Sequence, residues 1–228
     1  MTSPKLQVRV LPVTPFEQNC SLVFDEASRE GAVVDPGGDL DRILALAQSE
    51  GVRIVKILIT HAHIDHAGAT AELKRRLNVP IEGPHEGDRF WIEAMPEQAI
   101  RFGFEHGESF EPDRWLNDGD RVSVGSLEFE VRHCPGHTPG HVVFFHAPSR
   151  FAIVGDVIFA GSIGRTDFPR GNHADLIRSI RDNLFVLGDD VQFLPGHGGL
   201  STFGAERQTN PYVSDRAVGA ARVPTHLG

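Results

Sequence analysis

Apolar runs bounded by turn residues recur early in the chain, at Leu6 to Leu11, Cys20 to Phe24, Gly31 to Val34 and Arg53 to Ile59. Such runs predict β-strands, and the unbroken ones predict strands buried on both faces. Between the last two, Leu40, Ile43, Leu44 and Ala47 repeat at helical spacing and predict a helix over 40–48, with Asp39 as its cap and Gly51 as its stop. Gly68 to Leu77, with charges at Glu72, Lys74, Arg75 and Arg76, predicts a second helix. From Gly83 to Asn117 the pattern weakens and predicts short helices with a long loop. Order returns with Arg121 to Val124, Leu127 to His133, His141 to Phe145 and Phe151 to Val154, a meander of strands. A helix over Ala174 to Leu184 and a strand over Val191 to Leu194 follow. This order implies an α/β (α+β) architecture, two sheets packed face to face and covered by helices. No linker divides the chain, so residues 1–228 are expected to form one domain.

Composition narrows the function classes. The net charge is −9, from 22 basic and 31 acidic residues, and leaves no cationic excess for a nucleic-acid backbone. No apolar run approaches the roughly 20 residues of a membrane span. The N-terminal Met1-Thr2-Ser3-Pro4-Lys5-Leu6 lacks the basic start and apolar core of a secretory signal, so a cytoplasmic protein is expected. Two cysteines, Cys20 and Cys134, are too few for a disulfide framework.

The chemistry concentrates at Thr60-His61-Ala62-His63-Ile64-Asp65-His66, directly after the apolar run Ile54 to Ile59. Three imidazoles and a carboxylate at the end of a buried strand are costly to desolvate unless a cation offsets them. His61 and His63, two apart in an extended loop, can face one ion, and Asp65 and His66 can reach a second. One cluster cannot complete two coordination shells. Further ligands are expected at other strand ends beside small turn residues: His137 in Pro135-Gly136-His137, Asp156 in Val154-Gly155-Asp156, and His197 in Pro195-Gly196-His197-Gly198. Taken singly, each of these reads as an ordinary turn or capping residue. The cluster's need for partners singles them out.

This series of residues resembles the metallo-β-lactamase superfamily, which implies a four-layer αβ/βα sandwich with metals at its sheet edge. Within it the chain is similar to short, single-domain bacterial relatives of hydroxyacylglutathione hydrolase, glyoxalase II. The likeness runs from about Val8 to Tyr212 and includes Asn19-Cys20, Asp35-Pro36-Gly37-Gly38 and Asp167-Phe168-Pro169-Arg170-Gly171. It implies one metal held by His61, His63 and His137, a second by Asp65, His66 and His197, and Asp156 bridging them. Related flavodiiron proteins carry a glutamate at the place of His63, and an imidazole there favours hydrolysis. Two divalent ions are expected, zinc first, with iron or manganese as alternatives.

Two cations about 3.5–4 Å apart can share a water and present hydroxide at neutral pH, so no serine or cysteine nucleophile is required. The resemblance then implies hydrolysis of a small-molecule thioester, S-D-lactoylglutathione or a like S-(2-hydroxyacyl)glutathione, with Asp65 and Asp156 as catalytic residues and Asp65 orienting the attacking oxygen. Arg165 and Arg170 are candidates to meet a substrate carboxylate, and an Arg165–Asp167 ion pair is the competing reading. The helical C-terminal domain that two-domain glyoxalase II enzymes use for glutathione is expected to be absent. His133, Thr138 and His141 read as supporting residues, Cys134 as a buried structural thiol, and His85, His106, His146, His173 and His226 as surface or packing residues. Three rivals stand beside the thioesterase: a glutathione persulfide dioxygenase with mononuclear iron, a lactone hydrolase, and a non-catalytic metal-binding protein.

Overall fold

The computed structural model describes residues 5–105 and 107–221. Strands β1 (Leu6–Val13), β2 (Gln18–Asp25), β3 (Glu30–Val34), β4 (Arg53–Leu58) and β5 (Ile81–Glu82) form a five-stranded sheet in that order. The first three are antiparallel, and β3, β4 and β5 run parallel. The meander β6 (Arg121–Val124), β7 (Leu127–His133), β8 (Val142–His146) and β9 (Phe151–Gly155) follows. After it come a two-stranded hairpin, β10 (Ile158–Phe159) and β11 (Ser162–Ile163), and the strands β12 (Gln192–Pro195) and β13 (Ser201–Thr202). The second sheet has the order β13-β12-β9-β8-β7-β6, with β12 parallel to β9.

Alternation along these strands decides the layering. In β4, Ile57 joins the cluster that holds Ile43, Ala47 and Leu73, whereas Leu58 turns to the other face. In β8, Val143 and Phe145 meet Leu176, Ile180 and Leu184, while Val142 and Phe144 face Val23, Val34 and Leu58. Three apolar clusters thus fill three gaps: helices on the first sheet, sheet on sheet, and the second sheet on its own helices. That is the four-layer αβ/βα sandwich. The outer layers are α1 (Leu40–Ser49), α2 (Ile64–Ala67), α3 (Thr70–Leu77), α4 (Arg89–Glu93) and α5 (Met95–Phe102) on one side. On the other are α6 (His173–Arg178), α7 (Phe203–Thr209) and α8 (Asp215–Ala221). None of the described helices is long and apolar enough to cross a membrane.

Several expectations need correction. Asp39 stands at the start of α1 but does not cap it; its carboxylate accepts from the Thr14 N–H at 2.8 Å and tethers the β1–β2 turn instead. The second helix is two pieces, because the chain already turns helical at Ile64, within the histidine cluster, and restarts at Thr70. The helix over 174–184 is α-helical only to Arg178 and continues as a wider π-helical turn over Ser179–Leu184. His106 and His226 lie outside the described residues.

Candidate metal centre

Sheet topology brings the candidate ligands together. β7, β9 and β12 run in one direction, since β7 and β9 are both antiparallel to β8 and β12 is parallel to β9. Their C-terminal ends therefore lie on one edge, leading to His137, Asp156 and His197. The end of β4 is tied to the same edge: Thr60 accepts from the Val142 N–H at 2.8 Å, just before the histidine cluster. The Asn19 N–H likewise donates to the Gly196 carbonyl at 2.7 Å, and the Asn19 side chain donates to Pro195 and Gly198. Both halves of the chain thus meet at the site.

The side chains singled out from the sequence converge in two groups. His61, His63 and His137 offer ligand atoms that all lie within 4.8 Å of one another, and so do Asp65, His66 and His197. Asp156 stands between them, with Oδ1 3.3 Å from His66 Nε2 and Oδ2 3.6 Å from His137 Nε2 and 3.7 Å from His197 Nε2. A Cβ on Gly196 would stand 2.1 Å from Asp156 Oδ1 and 2.6 Å from His66 Cε1, so only glycine lets this loop pass the cluster. Gly37 has the same duty behind the cluster, where a Cβ would stand 1.6 Å from the Asp65 carbonyl oxygen.

The tautomers point the free lone pairs inward. His66 Nδ1 donates to Asp35 at 2.9 Å, His137 Nδ1 to the Arg165 carbonyl at 2.7 Å, and His197 Nδ1 to the Phe16 carbonyl at 3.1 Å. Thr60 Oγ1 gives its proton to Asp35 at 2.6 Å, so His61 Nδ1 donates to that hydroxyl at 3.1 Å. Each of these four rings thus has its Nδ1 engaged outside the cluster, leaving Nε2 as the atom available to a metal. His63 is turned the other way, with Nδ1 3.0 Å from His137 Nε2. The Nε2 atoms of His61 and His66 and Oδ1 of Asp156 are buried without a hydrogen-bond partner. Buried lone pairs crowded so closely repel unless a cation or proton lies among them, and nitrogen and carboxylate donors suit a divalent metal. The residues present fit a metal site.

Burial holds His61, His63 and His137 below the usual imidazole range, with neighbouring imidazoles adding to the effect at His61 and His63. They are neutral donors. Burial also works against charge on His66 and His197, but the Asp156 and Asp65 carboxylates outweigh it and move both upward. Asp156 is driven below the carboxylate range: burial opposes its charge, and His66 first, with His197, overcomes that cost.

Three residues that pattern reading passed over hold this arrangement. Asp35 accepts from the Thr60 N–H at 2.7 Å as well as from the Thr60 hydroxyl and His66. Asp88, fully buried, accepts from the Ala62 N–H at 3.0 Å, the Thr138 hydroxyl at 2.8 Å and the Gly140 N–H at 2.6 Å, joining the first ligand loop to the loop of His137. Burial pushes its carboxyl up to about 6 against the pull of those three donors. Gln98 accepts from the Ile64 N–H and donates to the carbonyls of Ala62 and Trp91. Asp35 lies in the Asp35-Pro36-Gly37-Gly38 segment that carries the family likeness; Asp88 and Gln98 carried no sequence signal. His141 accepts from the Asp156 N–H at 3.0 Å and stacks on His61 at 4.6 Å. Cys134 is wholly buried, and burial raises its thiol pKa. Of the remaining histidines, His146 packs against Phe129, His85 stacks on His133, and His173 is exposed.

A cavity of about 700 Å³ opens over the cluster, with His63, Asp65, His137, Asp156 and His197 at its floor. Phe16, Phe90, Trp91, Phe102, Phe159 and Phe168 make its walls largely aromatic. Arg165 reaches this wall but is paired with Asp167 through contacts of 2.7 and 2.6 Å, and its guanidinium stacks on Phe168 at 4.3 Å. Arg170 lies over the Phe90 ring at 4.1 Å.

A layered sandwich with a histidine and aspartate cluster at one sheet edge, under an aromatic-walled cavity, defines a metallohydrolase. The metallo-beta-lactamase superfamily profile matches residues 13–197, and the chain belongs to that superfamily. It is 42% identical over 213 residues to hydroxyacylglutathione hydrolase GloC of Haemophilus influenzae, an alignment covering 93% of this chain and all of that protein. Among solved structures, the B3 metallo-beta-lactamase BLEG-1 superposes with a TM-score of 0.84 at 30% identity, covering 91% of this chain and 99% of the other. The protein TTHA1623, crystallised in a di-iron-bound form, superposes with a TM-score of 0.82 at 35% identity, covering 90% and 99%.

Proposed function

We propose that this metallohydrolase cleaves S-(2-hydroxyacyl)glutathione thioesters, S-D-lactoylglutathione among them, to a 2-hydroxy acid and glutathione. The observation that carries the reading is the pair of inward-facing ligand groups at the floor of an aromatic-walled cavity, supported by the likeness to a hydroxyacylglutathione hydrolase over the full length of that relative. In this reading His61, His63 and His137 hold one divalent ion, Asp65, His66 and His197 hold a second, and Asp156 serves both. Zinc is the expected metal, and the di-iron form of one relative makes iron the alternative to test. When bound, two such ions lower the pKa of a water and polarise the thioester carbonyl.

The chain's own residues set the geometry. Asp65, whose Oδ2 lies 3.1 Å from His197 Nε2 at the cavity floor, accepts a hydrogen bond from the attacking water and fixes its direction. Asp35 and the carbonyls of Arg165 and Phe16 keep the imidazole tautomers, so the donor set needs no rearrangement. Neither cysteine takes part, since Cys20 and Cys134 are both buried in the core. A thiolate leaves without strong acid assistance, so the reading requires no dedicated proton donor. One domain spanning residues 1–228 carries the activity.

Purified protein assayed with S-D-lactoylglutathione is expected to show turnover that a chelator abolishes and added zinc restores. Absence of hydrolysis in metal-replete protein overturns the proposal. Asp65→Asn is expected to lower kcat by about a hundredfold or more. Full turnover with both metals retained in that variant would remove the positioning role.

A further inference from the structure

We infer that the acyl half of the substrate carries a bulky apolar substituent, aryl or branched alkyl, on the carbon beside the scissile carbonyl. This rests on the thioester reading above. The rings of Trp91 and Phe168 each lie 4.8 Å from His63, and Phe168 lies 6.2 Å from His137. Trp91 and Phe168 meet edge to face at 6.2 Å, and Phe90 packs on Trp91 at 5.1 Å. A carbonyl placed over the ligand groups therefore has its first substituent inside an aromatic shell. The methyl of a lactoyl group would leave most of that shell unfilled.

Two polar groups of this wall are already engaged, while the buried Trp91 Nε1–H has no hydrogen-bond partner among the described residues. Gln98 spends its amide on Ile64, Ala62 and Trp91, and Arg165 is paired with Asp167. Glu97 and Arg101, both exposed, stand at the mouth. A glutathionyl arm is polar beyond its sulfur, with two carboxylates, an ammonium and two amides. Its charges belong at the mouth, which leaves the acyl substituent as the part of the substrate that matches Trp91, Phe90 and Phe168.

The test compares S-D-mandeloylglutathione with S-D-lactoylglutathione on zinc-loaded protein. A phenyl in place of a methyl is expected to raise kcat/KM by about tenfold or more, the usual return on apolar contact in a fitted pocket. Phe168→Ala and Trp91→Ala are expected to bring the ratio toward one, and Trp91→Phe to keep it. Equal or lower kcat/KM for the mandeloyl substrate, or a ratio unmoved by both alanine variants, overturns the inference. If neither thioester is cleaved, the thioester reading itself fails, and binding decides the pocket. Mandelate and lactate are then titrated into the zinc-loaded protein and followed by Trp91 fluorescence in a Trp115→Phe background. Tighter mandelate binding supports an apolar acyl site, and equal affinities overturn it.

Discussion

Asp35 shows how a residue outside the ligand groups decides what they can do. Its carboxylate accepts three hydrogen bonds, two from Thr60 and one from His66, and so holds the proton of His66 on Nδ1. Asp35→Ala leaves the Thr60 N–H and the His66 ring without that partner. Metal affinity is expected to fall about 10- to 100-fold, which chelator competition would measure. An unchanged affinity would mean that the sheet edge alone orients the ring. The ligand candidates themselves were legible because three histidines and an aspartate in six residues are hard to explain without a cation. Asp88 and Gln98 were not, because each is one polar residue in a segment of weak periodicity and most of their partners are backbone groups that no side-chain pattern announces. Asp39 was misread for a related reason: a carboxylate before a helix has one N–H partner in the helix and, here, a competing one on Thr14.

At the scale of elements, apolar runs bounded by turn residues made most strands of both sheets readable, since strands such as β2 and β8 bury both faces. This pattern failed where elements are short. β5 spans two residues and owes its existence to β4 beside it, and α2 spans four residues filled by the ligand cluster. Connections between sheets were equally invisible. Asp25, at the end of β2, accepts from the Ser126 N–H at 3.1 Å and the Ser126 hydroxyl at 2.7 Å in the β6–β7 turn, and from Ser28 and Ala27 on its own side. Burial opposes its charge, but these donors hold the carboxyl down to about 2. A depressed carboxyl stabilises the fold above its unfolded value near 3.8 and stops doing so as pH falls through about 2. Asp25→Ala is therefore expected to cost about 1–3 kcal/mol at pH 6, and urea titrations should show that difference shrinking below pH 4. A difference independent of pH would assign the loss to packing.

For the molecule as a whole, the ligand groups sit where the two halves of the chain close on each other. His61 to His66 follow the first sheet, and His137, Asp156 and His197 follow strands of the second. Under the proposed function, a cation bound there would offset the burial of Asp156 and link both sheets at one edge. Metal removal is expected to lower stability by about 3–4 kcal/mol when metal is present at 100 to 1,000 times its Kd, seen as a drop in Tm on chelation. A Tm indifferent to chelator would mean that the sandwich closes on its apolar clusters alone.

The helices α4 and α5 have a different standing. Phe90, Trp91 and Phe102 come from one stretch, residues 86–105, that follows β5 in the chain and supplies none of the proposed metal ligands. Its attachment to the ligand loops runs through Asp88 and Gln98. Under the proposed function, part of the acyl wall is thus encoded apart from the residues of bond cleavage, with Phe168 supplied by a different loop. A graft that replaces this stretch and keeps those two anchors would redirect which acyl group enters while leaving the hydrolytic apparatus as it stands.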